Sequence, residues 1–367
     1  VERLYYLALN LLPGVGPVIS RRLLDHFHFA ELIFKASLAD LQQVAGIGSQ
    51  VALKISASIK DVSILRKAET ELAFIDKFHI RMLMLNQSGY PARLLQAADC
   101  PSLLFAKGNA DLDAARVISI VGTRHATAYG KAVCIEFIEA LSNSGVIVVS
   151  GLAWGIDICA HRQALNSGLP TIAVLGHGLT QMYPAEHRKT AEEMIESGAL
   201  VTEFFSDRTA EKENFPKRNR IIAGLSDATV LIEAAPGGGA LITAGLANSY
   251  DRDVYAFPGR ITDQYSKGCL ELIRDNQAQL ITSAEDFIKF MNWDLMPSPH
   301  RDRGKRVFLS DPVEIQVMNF LTQQLVCSLD EVAAEFPQLS ARLPAILMQL
   351  ELKGNLRQLP GKRFEPC

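Results

Sequence analysis

The chain has 367 residues, which at roughly 100–200 residues per domain predicts two or three domains. Hydrophobic residues make up 48% and charged residues 21%, the balance of a soluble globular protein, and this excludes a mostly disordered chain, a collagen and a coiled coil. The formal charge, 37 − 40 = −3, excludes recognition of nucleic acid by overall basicity, so an anion site has to be a local concentration of Lys and Arg.

Residues 1–75 predict a small helical domain. Leu12-Pro-Gly-Val-Gly-Pro-Val-Ile-Ser-Arg-Arg places a Gly-x-Gly turn before an amphipathic helix, and Val44-Ala-Gly-Ile-Gly-Ser repeats the pattern about thirty residues on. Each turn points backbone N–H groups outward at a helix N-terminus, where one phosphate can sit. The pair resembles tandem helix-hairpin-helix motifs, which bind DNA without reading sequence. Arg21 and Arg22 stand beside the first turn and only Lys54 beside the second, so a protein-docking role stays open next to DNA contact.

Residues 76–295 predict a doubly wound α/β domain. Strand candidates are Val117–Val121, Val146–Ser150, Thr171–Leu175, Leu200–Phe204, Thr229–Glu233, Val254–Phe257 and Leu280–Thr282, with helices between them, among them Tyr129–Ser144 and Ile156–Asn166. Most of the strands are continuous apolar, β-branched runs, as in parallel strands buried on both faces. The ligand is expected beyond their C-terminal ends.

Residues 296–306, containing Pro297-Ser-Pro-His-Arg-Asp-Arg-Gly-Lys-Arg, read as a solvated linker. In 307–367, the amphipathic Asp311–Leu325, a capped helix from Ser328 with Glu331 three residues on, a third helix and a short hairpin predict a winged helix. Its third helix carries only Arg342 and Lys353, which favours protein contacts at least as much as groove reading. The opening Val1-Glu-Arg-Leu-Tyr-Tyr does not read as a signal peptide. No run of about 18 apolar residues suggests a membrane span. Six scattered cysteines without a C-x-x-C pair point to no zinc site and a reduced, cytosolic chain.

The chemistry concentrates in turns after the strands. Val121-Gly-Thr-Arg-His-Ala-Thr-Ala-Tyr-Gly-Lys joins the first central strand to a helix whose N-terminus attracts anions. It is not a P-loop, because Gly122 and Gly130 are too far apart and Ala132 follows Lys131. Nor is it a dinucleotide fingerprint, since G-x-G-x-x-G is absent and the second strand ends in Ser150-Gly151. Ser150-Gly-Leu-Ala-Trp-Gly-Ile-Asp, Leu175-Gly-His-Gly-Leu, Asn214-Phe-Pro-Lys-Arg-Asn-Arg, Pro236-Gly-Gly-Gly-Ala and Pro258-Gly-Arg fall on the same sheet edge. Arg124, Lys217, Arg218, Arg220, Arg260 and Lys267 can then cluster into a polyanion site. Arg220 can instead pair with Glu233 or Asp227, and Asn219 can cap backbone. Asp157 and His161 share a helix face, either as an acid/base pair or as an internal salt bridge.

The run from Tyr90 to Phe287 resembles the DNA-processing protein A family (DprA, also called Smf). The landmarks are Val121-Gly-Thr-Arg, Ser150-Gly-Leu-Ala-Trp-Gly-Ile-Asp with Ala160-His161, Phe215-Pro-Lys-Arg-Asn-Arg-Ile-Ile-Ala-Gly, Leu241-Ile-Thr-Ala and Phe257-Pro-Gly. The resemblance implies an extended Rossmann-like, mostly parallel sheet flanked by a SAM-like helical domain and a winged helix. It further implies a non-enzymatic, cofactor-free binder of single-stranded DNA in natural transformation. Such a protein dimerises, protects incoming strands, displaces single-strand-binding protein and loads the RecA recombinase. Carried onto this chain, the DNA pocket comprises Gly122, Thr123, Arg124, Thr127, Lys217, Arg218, Asn219 and Arg220. Arg260 lies nearby, and Gly151, Gly176, Gly238 and Gly239 allow close approach. Gly238-Gly239-Ala240 departs from the family's usual Ser-Gly-Ser, which removes two hydroxyl donors but leaves the backbone N–H groups.

Two rival readings remain. Pro236-Gly-Gly-Gly-Ala is similar to the P-G-G-x-G-T loop of nucleoside-monophosphate phosphoribohydrolases, but Leu241–Tyr250 lacks the acidic residue those enzymes need. A protein-interaction scaffold predicts that the cations are paired with acids inside the fold.

Overall fold

The computed structural model describes residues 1–293, 311–324, 327–340, 342–353, 355–359 and 363–366, so the expected linker lies outside the described residues. The chain divides into two units, Val1–Trp293 and Asp294–Cys367.

The first unit begins with six helices, α1 (Glu2–Leu11), α2 (Pro17–Phe27), α3 (Ala30–Lys35), α4 (Leu38–Gln43), α5 (Ser49–Ser58) and α6 (Val62–Lys77). Each Gly-x-Gly turn stands immediately before α2 or α5, because Pro17 is preset for a first helical turn and Gly16 and Gly48 end the extended approach. Ser37 and Asp61 cap α4 and α6 with side-chain oxygens. The two arginines read as phosphate supports are engaged in the fold. Arg21 donates to the carbonyls of Leu95 and Ala97 at 3.2 and 3.1 Å, and Arg22 to that of Gly46 at 2.8 Å. The helices continue into the sheet domain: the Tyr6 hydroxyl donates to Leu85 O at 2.5 Å, and Glu71 accepts from the Ser206 amide at 2.9 Å.

The sheet has nine strands, β1 (Arg81–Met84), β2 (Leu103–Gly108), β3 (Val117–Val121), β4 (Ile147–Ser150), β5 (Thr171–Val174), β6 (Ala199–Thr202), β7 (Ala228–Leu231), β8 (Asp253–Ala256) and β9 (Gln279–Leu280). Their order is β1-β2-β6-β5-β4-β3-β7-β8-β9. From β6 to β9 all neighbours are parallel, while β1 and β2 add an antiparallel edge that the hydrophobic runs did not reveal. The intervening helices are α7 (Ala92–Leu95), α8 (Ala128–Ala140), α9 (Ile156–Asn166), α10 (Arg188–Ser197), α11 (Asn214–Leu225), α12 (Gly239–Ser249), α13 (Lys267–Arg274) and α14 (Ala284–Phe290). Strand alternation feeds two cores. Ile118 and Ile120 of β3 pack with Phe137, Phe257, Phe287 and Trp293, while Val117 and Val121 pack with Ile221, Ile222 and the N-terminal helices. The chain leaves β3 toward β4 on one side and returns through α11 to β7 on the other. The crevice beyond the C-terminal ends of β3 and β7 is therefore the switch point of the sheet.

The second unit contains α15 (Pro312–Gln324), β10 (Cys327–Ser328), α16 (Leu329–Glu335), α17 (Leu343–Leu352), β11 (Leu356–Leu359) and β12 (Arg363–Pro366), the strands forming one sheet in the order β10-β12-β11. Ser328 and Glu331 close a capping box at α16. Val317, Leu321, Val332, Leu343, Leu347 and Leu350 form its core. Lys353 donates to both carboxylate oxygens of the buried Glu314 at 2.6 Å, which leaves Arg342 as the exposed cation of the third helix.

Candidate nucleic-acid interface

A groove of about 710 Å³ opens at the switch point. Its walls are the β3–α8 turn (Gly122, Thr123, Arg124), the start of α12 (Gly238, Gly239) and one face of α11. Helix period selects that face. Phe215, Arg218, Asn219 and Ile222 follow one another at i, i+3, i+4 and i+7 and line the groove. Lys217 and Arg220 fall on other faces of α11, outside the lining.

Phe215 forms an aromatic bed for both groove arginines, with Arg124 and Arg218 centred 5.5 and 5.9 Å from its ring. The arginines differ in what else they do. Arg124 is exposed and makes no ion pair among the described residues. Arg218 is 3% exposed and donates to Gly151 O at 2.5 Å and to Val174 O. Burial pushes its pKa down to about 10, against the attraction of Asp157, so it stays a cation at neutral pH. Its guanidinium explains Gly151: a Cβ there would stand 2.4 Å from Arg218 Nη1. Gly176 likewise makes room for Phe215, 3.0 Å from where its Cβ would be. These two glycines support the groove from behind rather than lining it.

Two of the expected contacts are occupied internally. The start of α8 was read as an open anion seat, but the buried carboxylate of Glu233 sits there. It accepts from the Thr127 amide at 3.0 Å and the Thr127 hydroxyl at 2.5 Å, while Thr127 Oγ1 caps the Gly130 amide at 3.1 Å. A side chain from the end of β7 supplies the negative charge that this helix start attracts. Arg220 pairs with neither Glu233 nor Asp227 but with Glu203, in a buried ion pair. Burial raises the Glu203 carboxyl and Arg220 opposes the rise. Arg260 and Lys267 are exposed and lie outside the groove lining.

The start of α12 is different. No side chain caps it, its first turn holds no acid, and the Gly239 Cβ position has nothing within 4 Å. Asn219 reaches it, donating from Nδ2 to Gly239 O at 3.4 Å, which touches a carbonyl and leaves the amides of the helix start uncapped. Gly238-Gly239-Ala240 therefore presents bare backbone beside Arg218 and Asn219.

Asp157 and His161 do not face each other as an ion pair. Asp157 accepts from the Gly151 amide at 3.1 Å, and burial raises its pKa while Arg218 lowers it. His161 Nε2 accepts from the Leu152 amide at 3.3 Å, which places the proton on Nδ1, 2.7 Å from Thr171 Oγ1. Burial, then Arg218 and His187, push His161 down to about 3, so it is neutral. His187 Nδ1 donates to Leu152 O at 2.8 Å. Leu152, at φ 55, is thus clamped by an imidazole on each side of its peptide groups. His177 staples the next loop, donating to Gly178 O at 2.8 Å and accepting from the Tyr183 amide at 3.3 Å. These buried groups hold loops. Among the described residues no group of three or more His, Cys, Asp or Glu is placed to hold a metal ion, and no helix is long and apolar enough to cross a membrane.

Sequence reasoning missed Phe215 and Glu203 as determinants of the site, and offered Glu233 to Arg220 rather than to the α8 start. Phe215 was readable from its i, i+3 relation to Arg218, whereas the acids sit just past strand ends, at spacings from their partners that no helix or strand period marks.

An open, cation-lined groove at the switch point of a doubly wound sheet defines the class of protein. Residues 81–292 match the family described as DNA recombination-mediator protein A, 6–61 a SAM-like helix-hairpin-helix tandem, and 306–362 the DprA winged helix domain. The chain is 32% identical to Protein Smf of Synechocystis over 396 residues, covering 99% of this chain and 98% of that one. To Protein Smf of Escherichia coli K12 it is 33% identical over 344 residues, covering 92% and 90%. The X-ray structure of DNA processing protein A from Streptococcus pneumoniae superposes with a TM-score of 0.66 at 30% identity, covering 79% of this chain and 98% of that one. The corresponding protein of Helicobacter pylori, whose structure was described for its single-stranded DNA binding mode, gives 0.53 at 30% identity and covers 59% and 98%. The chain belongs to the DNA recombination-mediator protein A (DprA/Smf) family.

Proposed function

We propose that this protein binds single-stranded DNA in the groove between the β3–α8 turn, α11 and the start of α12, without catalysing a reaction on it. The observation that carries the reading is the pairing of Arg124 and Arg218 on Phe215 beside the uncapped start of α12. A phosphate at the helix start meets free amides and a partial positive charge, and the exposed Arg124 adds a planar fork of donors. Phe215 puts an aromatic ring in the groove wall beneath the two guanidinium groups, and planar groups of this kind accept any base. Phosphate contacts carry no base information, so sequence preference is weak. Thr123 and Asn219 add side-chain polarity at the groove wall, and the exposed Lys217 contributes to the field around it. The phosphoribohydrolase alternative lacks an acidic residue in Leu241–Tyr250, and the groove holds only Asp157, already engaged with backbone.

On this reading the protein is a cytoplasmic homodimer that protects incoming strands, displaces single-strand-binding protein and loads RecA, as the family likeness implies. The test is fluorescence anisotropy with a labelled oligo-dT across a salt series. Affinity falls steeply with salt, and Arg124→Ala lowers the log–log slope by about 0.7 for the phosphate contact it removes. Lys217→Ala weakens binding less. Absence of binding by the wild-type protein at low salt overturns the proposal.

A further inference from the structure

A second groove, of about 870 Å³, adjoins the first and shares Arg124 and His125 with it. Its wall carries Lys131 and Arg162, and no described carboxylate lines it. Neither cation has an ion-pair partner among the described residues, and Arg162 donates only to Thr190 Oγ1, at 3.3 Å. Over this groove stands Trp154, 44% exposed, where the chain's other tryptophan, Trp293, is 4% exposed in the core.

The indole is held in place. Its ring meets buried His187 edge-on, centroids 4.5 Å apart at 67°. Gly155 follows at φ 81, with its Cβ position 2.1 Å from Thr123 O, and the Ile156 amide donates to that same oxygen at 3.2 Å. The Trp154 loop and the Arg124 turn are thus fastened to each other. A fixed, exposed indole among three cations and no acid is the arrangement of a stacking platform with its electrostatic channel.

We propose that Trp154 is a second base-stacking subsite, and that a single strand seated in the first groove continues past Arg124 with its next phosphates between Lys131 and Arg162. This rests on the single-stranded DNA reading above and extends the strand's path beyond α11. The occupant follows from the chemistry: flat, anionic at regular intervals, and continuous with the first groove.

The test uses the full chain and oligo-dT of two lengths, about five and about twenty nucleotides, each carrying a fluorophore for anisotropy. Because Trp293 is buried, a change of intrinsic emission on binding reports on Trp154. We expect the longer oligonucleotide to quench that emission and Trp154→Ala to bind it about 5- to 160-fold more weakly, the range of one lost aromatic–base stack. Trp154→Phe restores most of the loss. The Lys131→Ala/Arg162→Ala double variant lowers the salt slope by roughly 1.4. The short oligonucleotide, filling the first groove alone, is less affected by Trp154→Ala. If wild type and Trp154→Ala bind the long oligonucleotide equally, with emission unchanged, this inference is overturned and the first groove stands. If Trp154→Ala changes the oligomeric state while binding is undiminished, the face belongs to a second copy and the inference is likewise overturned. If wild type binds neither length, the underlying reading fails with it.

Discussion

Replacing Arg218 by Met separates what holds the groove from what the groove holds. The guanidinium satisfies the carbonyls of Gly151 and Val174 and faces the buried Asp157. Methionine fills much of the volume but donates nothing. Two buried carbonyls lose a donor, at about 1–3 kcal/mol for each left unsatisfied, and a buried carboxylate loses its counter-charge, at about 3–5 kcal/mol. These losses overlap, because burial already raises the Asp157 pKa and protonation relieves part of the strain. The expected net loss is about 3–5 kcal/mol, a fall in melting temperature of roughly 10 °C for a domain of this size. Arg124→Ala, by contrast, removes an exposed side chain and changes stability by less than about 0.5 kcal/mol. Thermal unfolding by circular dichroism gives the first quantity for each variant. Oligo-dT anisotropy, at a temperature where both are folded, gives the second. An Arg218→Met protein that melts with the wild type yet fails to bind would refute the assignment of Arg218 as a structural cation.

Two further outcomes follow from the loops. Gly155→Ala combines a positive φ with a Cβ 2.1 Å from the Thr123 carbonyl oxygen, so it destabilises by at least about 2 kcal/mol and displaces the Arg124 turn. A denaturant midpoint equal to that of the wild type contradicts this. His161 titrates near 3 in the folded state against about 6.5 when unfolded, so the unfolded chain binds the extra proton first. Its contribution is complete above about pH 6.5 and is lost as the pH falls toward 3, amounting to roughly 3 kcal/mol by about pH 4.5. Urea midpoints at about pH 7 and 4.5 show a smaller acid loss in His161→Gln than in the wild type. Equal losses remove His161 as the source.

Much of the architecture was legible because buried parallel strands advertise themselves. Val117–Val121 and Thr229–Glu233 were readable as apolar β-branched runs, and the glycine turns located the edge where the groove opens. The antiparallel edge was not read: Met82-Leu-Met-Leu85 and Leu103-Leu-Phe-Ala106 are apolar runs of four bounded by turn residues, but neither holds a β-branched residue. Within the site, local spacing found Arg124, Arg218 and Asn219 but gave Lys217 and Arg220 equal standing, although helix phase separates them. The pairing of Arg220 with Glu203 joins α11 to the end of the strand just before it, and the seating of Glu233 at the α8 start joins a helix to a strand end far along the chain. Glu203 stands 17 residues before Arg220 and Glu233 stands 106 after Thr127, spacings that no helix or strand period links, so electrostatic competition decided what composition left open.

The clamp on Leu152 has a consequence for how a ligand is received. One imidazole holds its amide and another its carbonyl, and the neighbouring Gly155 is fastened to the opposite turn. A loop held at both peptide groups is expected to keep this shape when a ligand arrives. The entropy of ordering then falls on the incoming chain alone, and free and occupied protein should superimpose closely along this rim. Such a rim acts as a mould rather than a lid: it sets the curvature of whatever lies against it and does not have to close.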